Sequence, residues 1–546
     1  MALLALLVLV AYGNSLPNDF VLDDVSSISE NPHINEAGSF WTPPFFSLSS
    51  FIIYVVHKFF GPNPAAYRWI NIIFHLFSTW TAYALLTLIF CQPVPIFAAA
   101  IFAVHPILTE VITWISGGPY IQYNLFLLIS LGFYILSEKQ GRLYIFSLLS
   151  FIVALLFTER AFTFPLVLIC WELARGGFKQ NWKKIIPFLL LAGIRVLPSL
   201  LTIGARMEDL TSEFGLKAKV ENPLLHLPIA FSVYLQLVLF PKGLCFYHSK
   251  SAYTYAEYGV RLAVFLSYLI LIGYFYFRRR RQAFFWTVFF TIPLLPVLTP
   301  LRVACHIAER YVSGGVLGIF VLTAMVFQKL SEPKRLGVNA YFIFSALIII
   351  LTMRTIARNR DWKDEHALWL ATIAVSPNSV NAHNNLCASY VRRGEWENAL
   401  REALITIKLL PNYAHPYHNI GGIYLVLGRN KEAKAFFEKA VSLNPNLWQA
   451  YRGLGEIYYD EGNLAMSLEN FLKAAQLKPD DADVQTNLGI IYLRRNDVVK
   501  AQQSLQRALE INPRQEKARQ MLGLIGRELQ EGLLIIKAAA KGRNKP

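Results

Sequence analysis

Two adjacent carboxylates stand in the run Phe20-Val21-Leu22-Asp23-Asp24-Val25, just after an apolar N-terminal stretch. A pair of this kind at a bilayer surface can act as a base, bind a cation or solvate a loop. Other charged residues interrupt apolar sequence further on: Glu110, then Glu159 and Arg160, then Glu309 and Arg310. A carboxylate is costly near hydrocarbon. Glu110 and Glu159 therefore serve either an active site or the bracing of loops. Asn71 and His75 lie one helical turn apart and read as helix packing.

Membrane helices must position these residues. The chain of 546 residues is 54% hydrophobic, with a mean hydropathy of +0.38, and the apolar residues come in blocks of spanning length. The net charge of +16 does not indicate nucleic acid, because much of it sits in short loops between apolar blocks, where it orients helices. Met1 to Tyr12 reads as the end of a first membrane helix rather than a signal peptide. Later segments fall near 66–90, 94–108, 120–137, 143–157, 162–174, 184–203, 260–277, 283–298, 312–328 and 338–357.

Four basic loops set the orientation: Lys139 with Arg142, Arg175 to Lys184, Arg278 to Arg281, and Lys329 to Arg335. Placing all four on the cytoplasmic side requires the stretch 223–241, with His226, Pro228 and Gln236, to be interfacial or re-entrant. About eleven crossings then remain, so the chain starts inside and ends outside. The loops carrying the two aspartates, the 105–120 region, Glu159-Arg160, 204–259 and 301–311 emerge on the outer face together with residues 358–546. The five cysteines give no framework: a bridge between Cys245 and Cys305 is allowed but unsupported, and no zinc spacing occurs.

Five prolines, Pro377, Pro411, Pro445, Pro479 and Pro513, recur at a 34-residue step. Between them Tyr417, Gly421, Tyr424, Ala433, Phe437 and Ala440 recur as Tyr451, Gly455, Tyr458, Phe471 and Ala474, and again as Gly489, Tyr492, Ala501 and Ala508. Small residues where two helices touch, large ones filling the gap and proline ending the second helix form the tetratricopeptide pattern. Gly394, Gly428, Gly462 and Asn496 mark the intervening turns. The sequence thus divides into a membrane domain (1–357), a juxtamembrane half-repeat (358–375), four repeats (376–515), and a capping helix with a basic tail (516–546). The fold class is all-α: a polytopic helical bundle followed by an α-solenoid whose groove binds a protein or peptide. A spacer or oligomerisation module is the other reading of this arm.

Val21-Leu22-Asp23-Asp24, Asn31-Pro32, Gly61-Pro62-Asn63-Pro64, Asn71, His75 and Val104-His105-Pro106-Ile107-Leu108-Thr109-Glu110 occur in this order. They are followed by Glu159 before Pro165, Asn222-Pro223, Pro241 to Leu244, Ala308-Glu309-Arg310-Tyr311 and Arg358-Asn359-Arg360-Asp361-Trp362. Together with the repeats, this series resembles the transmembrane and tetratricopeptide-repeat O-mannosyltransferases, a family similar to C-type-fold membrane glycosyltransferases. The resemblance implies inverting transfer of a sugar from a polyprenyl-phosphate donor to an extracytoplasmic acceptor. It places the catalytic acid within the aspartate pair, Asp24 first and Asp23 second. The departing phosphate calls for a guanidinium: Arg310 first, with Arg160 and Arg302 behind it. Arg310 paired to Glu309 or Glu159 as a structural clamp is an equal alternative. His105 either bonds the donor phosphate or serves as a cap or buried structural histidine. No cofactor is firmly implied; a divalent cation has room at the aspartates, although two residues supply fewer oxygens than a bound metal usually takes.

The chain departs from that family after Ser116, where Gly117-Gly118-Pro119-Tyr120 replaces a basic residue and an aspartate. Thr158 stands where Lys is frequent, Ser313-Gly314-Gly315 replaces Leu-Pro-Ser, and Arg68 occupies a position where histidine is common. Two other functions stay open: a non-catalytic membrane scaffold built on the repeats, and transport or polymerisation of lipid-linked glycans. Against transport, the membrane segments show no inverted repeat. The lack of retention or sorting signals favours a bacterial plasma membrane over endoplasmic reticulum.

Overall fold

In this computed structural model the described residues are 1–36, 38, 40–42, 45–202, 223–248, 253–298 and 307–527. Asn222, Arg302, Cys305 and the basic tail 541–546 lie outside them. The described chain separates into two compact units, one reaching Ala382 and the other starting at His383.

Among the described residues the strands of the first unit are confined to a two-residue ribbon in which Trp41–Thr42 pairs antiparallel with Phe45–Phe46, and its other regular elements are helices. Among the described residues five stretches are long and apolar enough to cross a membrane: Pro64–Thr87, Ile115–Leu136, Phe178–Leu201, Tyr255–Phe277 and Asn339–Asp361. A sixth arises if Val94–Val104 and Pro106–Thr113, bent by 49°, count as one span. The remaining expected crossings are shorter helices, among them Leu143–Phe157 and Val316–Leu330. Among the described residues the count of eleven is therefore not reached by helices of spanning length. Sequence signals explain several boundaries. Asn63 caps the backbone N–H of Ala65, with Pro64 at the first helical position. Thr254 and Glu257 form a reciprocal capping box at the start of Tyr255–Phe277.

The core of this unit packs Leu4, Val8 and Tyr12 of the helix Ala2–Tyr12 with Ala98 to Val104 and the Phe320 region. Buried alanines at Ala98, Ala99 and Ala103 let neighbouring backbones approach closely. Leu48–Phe60 forms a helix that is missing from the series of expected segments, and the stretch read as interfacial is the 17-residue helix Pro223–Leu239 with Pro228 inside it. The half-repeat helix Glu365–Val375 packs within this unit, its Trp369 stacked on Tyr247 with ring centroids 5.7 Å apart.

The repeats appear as helix pairs: Val380–Arg392 with Trp396–Leu409, Ala414–Val426 with Asn430–Leu443, Trp448–Asp460 with Leu464–Leu477, and Ala482–Arg494 with Val498–Ile511. Residues 516–527 continue as helix. Each second helix stops two residues before its proline, because the residue before proline is driven out of helical geometry. The turns at Gly394, Gly428, Gly462 and Asn496 all have positive φ, between 62° and 76°. Phe437 lies so close to Gly421 and Gly453 that a Cβ at either would sit 2.8 Å or less from its ring. Phe471 against Gly455 and Leu505 against Gly489 repeat the arrangement.

Candidate active site

The aspartate pair is split. Asp23 is exposed and Asp24 is fully buried. The turn that separates them begins at Leu22, whose φ of 57° is left-handed. Ser116 donates twice to Asp24 Oδ1, from its backbone N–H at 2.8 Å and its hydroxyl at 2.5 Å. Burial pushes the Asp24 carboxyl up to about 6, while the Ser116 bonds and the charge of Arg68 pull against that rise. Arg68 is itself buried and donates to the carbonyls of Thr113, Asn18 and Asp19. It thereby ties the segment before the aspartates to the helix carrying Glu110. Asn18 in turn donates to the Asn359 carbonyl, and Thr113 donates to the Asn359 side chain at 3.0 Å.

Two of the three remaining acidic candidates, Glu110 and Glu309, form separate buried ion pairs. Glu110, fully buried, accepts from Arg310, by its backbone N–H at 3.0 Å and by Nη1. Glu309, also fully buried, accepts from Arg358 Nη2 at 3.1 Å, and Arg358 reaches Asp361 at 2.8 Å. The sequence paired Arg310 with Glu309 or Glu159; the structure pairs it with Glu110. Burial pushes the Glu309 carboxyl up against the opposing charge of Arg358. His248 stands 3.9 Å from Glu309 and 3.6 Å from the Cys245 sulfur, a neighbourhood that nothing in the sequence signalled.

Arg160 has a different environment. Its guanidinium lies over two rings, Tyr311 at 4.3 Å and Tyr120 at 5.4 Å, and among the described residues it meets no hydrogen-bond acceptor or carboxylate. Arg310 faces the same Tyr311 ring at 4.9 Å, and also Trp114 and Phe246. Tyr120 lies four residues beyond Ser116, so one short segment carries both the partner of Asp24 and the ring under Arg160. Four residues reach at most about 14 Å.

The other candidates have protein partners of their own. His105 accepts from the Ile107 backbone N–H at 3.2 Å and bonds the Val238 carbonyl at 3.0 Å, so both ring nitrogens are engaged in a cap at the bend. Glu159 accepts from Ser199 and lies 3.7 Å from Arg195. Asn71 bonds the carbonyls of Ile112 and Trp114, and His75 that of Ala103. The glycines that depart from the family pattern are tightly enclosed. A Cβ at Gly118 would lie 2.2 Å from the Asn71 amide oxygen, and one at Gly117 would lie 2.6 Å from the Glu110 carbonyl. Among the described residues no group of three or more His, Cys, Asp or Glu is arranged to hold a metal ion.

Residues 414–447 and 486–519 match the tetratricopeptide repeat and 455–496 the TPR repeat. The chain is 27% identical over 415 residues to Protein O-mannosyl-transferase F38B6.6 of Caenorhabditis elegans, covering 69% of this chain and 58% of that protein. It is 23% identical over 448 residues to Protein O-mannosyl-transferase TMTC3 of Homo sapiens, covering 69% and 48%. It therefore spans about half the length of these relatives. Among solved structures, YrrB, a TPR protein with an unusual peptide-binding site, is 21% identical with a TM-score of 0.24, covering 36% of this chain and 96% of that one. Over about 70% of its length the chain is a homologue of the TMTC protein O-mannosyl-transferases, with tetratricopeptide repeats towards its C-terminus.

Proposed function

We propose that the chain is an integral membrane glycosyltransferase that moves a sugar, mannose by analogy with its relatives, from a polyprenyl-phosphate donor to a protein Ser or Thr hydroxyl. The observation that carries this reading is the buried Asp24 carboxylate on Ser116, one short segment away from a guanidinium that has no carboxylate partner among the described residues. In the reaction the acceptor oxygen bonds to the anomeric carbon as the carbon–phosphate oxygen bond breaks. Asp24 takes the hydroxyl proton, and the phosphate leaves with the bonding electrons towards Arg160. A carboxyl near 6 is mostly ionised at neutral pH yet more basic than an ordinary aspartate, which suits a general base. The buried Arg310–Glu110 pair supports the loop that presents Tyr311. The repeats recruit the acceptor and raise its local concentration.

This function requires the aspartate loop and the repeats on one side of the membrane, as the eleven-crossing threading has them, with the shorter helices crossing as well. Cysteine labelling in intact cells, at a repeat surface position and at Arg279, tests the threading; labelling of both from the same side refutes it. Asp24→Asn keeps size and shape but removes basicity, so donor binding should persist while turnover falls by about 10² to 10⁴. Unchanged turnover with a lipid-phosphate sugar donor would rule out Asp24. The second reading, a non-catalytic scaffold, is favoured by the enclosed Gly117 and Gly118, which leave no room for the family's basic residue and aspartate. Absence of sugar transfer by the wild-type chain, with repeats that still capture a protein, would select it.

A further inference from the structure

The run Arg278 to Arg281 does more than orient a loop. It lies between Tyr255–Phe277 and the helix Arg281–Thr291, beside a cavity of about 500 Å³ lined by Leu173, Gly176, Phe277, Phe284, Arg279 and Arg281 among others. That volume is within the range of small-molecule sites. Arg175, between the lining residues Ala174 and Gly176 in sequence, is already paired with Glu138. Arg279 and Arg281, by contrast, have no side-chain acceptor among the described residues. Two exposed guanidiniums without a carboxylate partner, lining one cavity with Leu173, Phe277 and Phe284, suit a ligand with an anionic head and a hydrocarbon body.

The depth of the cavity narrows the choice. Tyr255–Phe277 is long and apolar enough to cross a membrane, and along it only Tyr268 is buried by protein. Most of its surface therefore faces lipid, and its C-terminal end lies at the bilayer surface. Tyr274, Tyr276 and Phe277 are all at least half exposed there, as aromatic residues at headgroup level are. The start of Arg281–Thr291 carries no acidic residue in its first turn and no side-chain cap. Positive side chains at the positive end of a helix dipole are unfavourable without a counter-anion. Basic pockets between membrane helices are suited to anionic lipid headgroups.

We propose that this cavity is a binding site for an anionic glycerophospholipid, its phosphate held by Arg279 and Arg281 and the upper part of its acyl chains by Leu173, Phe277 and Phe284. The site is independent of the sugar-transfer reading. Arg279 has a φ of 52°, which glycine adopts without strain, so Arg279→Gly removes the guanidinium while preserving the turn. The test is thermal unfolding of the purified full chain in neutral detergent, with phosphatidylglycerol, phosphatidylcholine or inorganic phosphate added. Phosphatidylglycerol should raise the wild-type midpoint saturably, by several degrees. Arg279→Gly with Arg281→Gln should lose that shift, and Arg335→Gln, in another basic loop, should keep it. An equal shift from phosphatidylcholine, the full shift from inorganic phosphate alone, or a full shift in the double variant would overturn the proposal. If the double variant does not fold, native mass spectrometry replaces the melt. A phosphatidylglycerol molecule retained by the wild type and lost from Arg281→Gln supports the site; equal retention refutes it.

Discussion

With Asp24 as the base, Ser116→Ala should move the acid limb of the pH–rate profile upward. The substitution removes the 2.5 Å hydroxyl bond to Oδ1 and leaves the backbone N–H at 2.8 Å. Both bonds favour the ionised carboxylate, so losing one raises the pKa from its starting point of about 6. A hydrogen bond to a charged group contributes about 1.5–3 kcal/mol, and about 1.4 kcal/mol corresponds to one pH unit. The midpoint should therefore rise by about one to two units. At pH 7 the ionised fraction would fall from about nine-tenths to between about a half and a tenth. Turnover with a lipid-phosphate sugar donor should drop accordingly at pH 7 and recover near pH 9, whereas Asp24→Asn should not recover at any pH. A uniform loss across pH in Ser116→Ala, or a midpoint that stays put or moves down, would refute the argument that Ser116 sets the basicity of Asp24.

Arg160→Gln should raise the KM for donor with little change in the melting midpoint, since its guanidinium contacts rings rather than carboxylates; an unchanged KM would remove Arg160 from donor binding. Arg310→Met should do the reverse. It leaves buried Glu110 with only a backbone donor, and breaking a buried pair costs about 3–5 kcal/mol, visible as a lowered melt in detergent. Gly421→Ala places a methyl 2.8 Å from the Phe437 ring and should destabilise the repeats by about 1–3 kcal/mol through overpacking. A soluble segment starting near Asp364 should melt cooperatively as a helical domain, and at a lower temperature with Gly421→Ala; a disordered spectrum for the unsubstituted segment would remove the rigid-arm idea.

The repeats were legible because every feature that defines them is local. A proline forces its predecessor out of the helix, a left-handed residue turns the chain, and a glycine admits the Phe437 ring, all within one 34-residue unit. The long apolar helices were legible for the same reason. Leu48–Phe60 was not, because Ser50, His57 and Lys58 interrupt its apolar run and only a search for amphipathic helices shorter than a span would find it. The site was legible as a set of residues but not as a set of partners. Adjacent residues in a tight turn point in different directions, so Glu309 and Arg310 diverge to Arg358 and Glu110, the latter 200 positions away. The same divergence buries Asp24 and exposes Asp23. Ser116 stood in the sequence only as a landmark before the departure at Gly117, and its hydroxyl gave no sign of facing a carboxylate 92 residues earlier.

The choice between the two arginines follows from those partners rather than from the motifs. Arg310 belongs to the better motif, Ala308-Glu309-Arg310-Tyr311, and its guanidinium is planar and bidentate like any other. Its charge, however, is already committed to Glu110, which has no exposed surface. A departing phosphate that drew Arg310 away would leave Glu110 with the backbone N–H of Arg310 alone in a buried place. Arg160 carries no such debt. The rings of Tyr120 and Tyr311 stabilise its charge through their faces while leaving the guanidinium edge, where its donors lie, open to an anion. An aromatic clamp orients a cation without neutralising it, and a phosphate-binding residue needs that combination. The proposed reaction therefore exchanges the two roles read from sequence: it gives Arg310 to the loop, through Glu110, and the donor phosphate to Arg160, whose guanidinium lies over two rings.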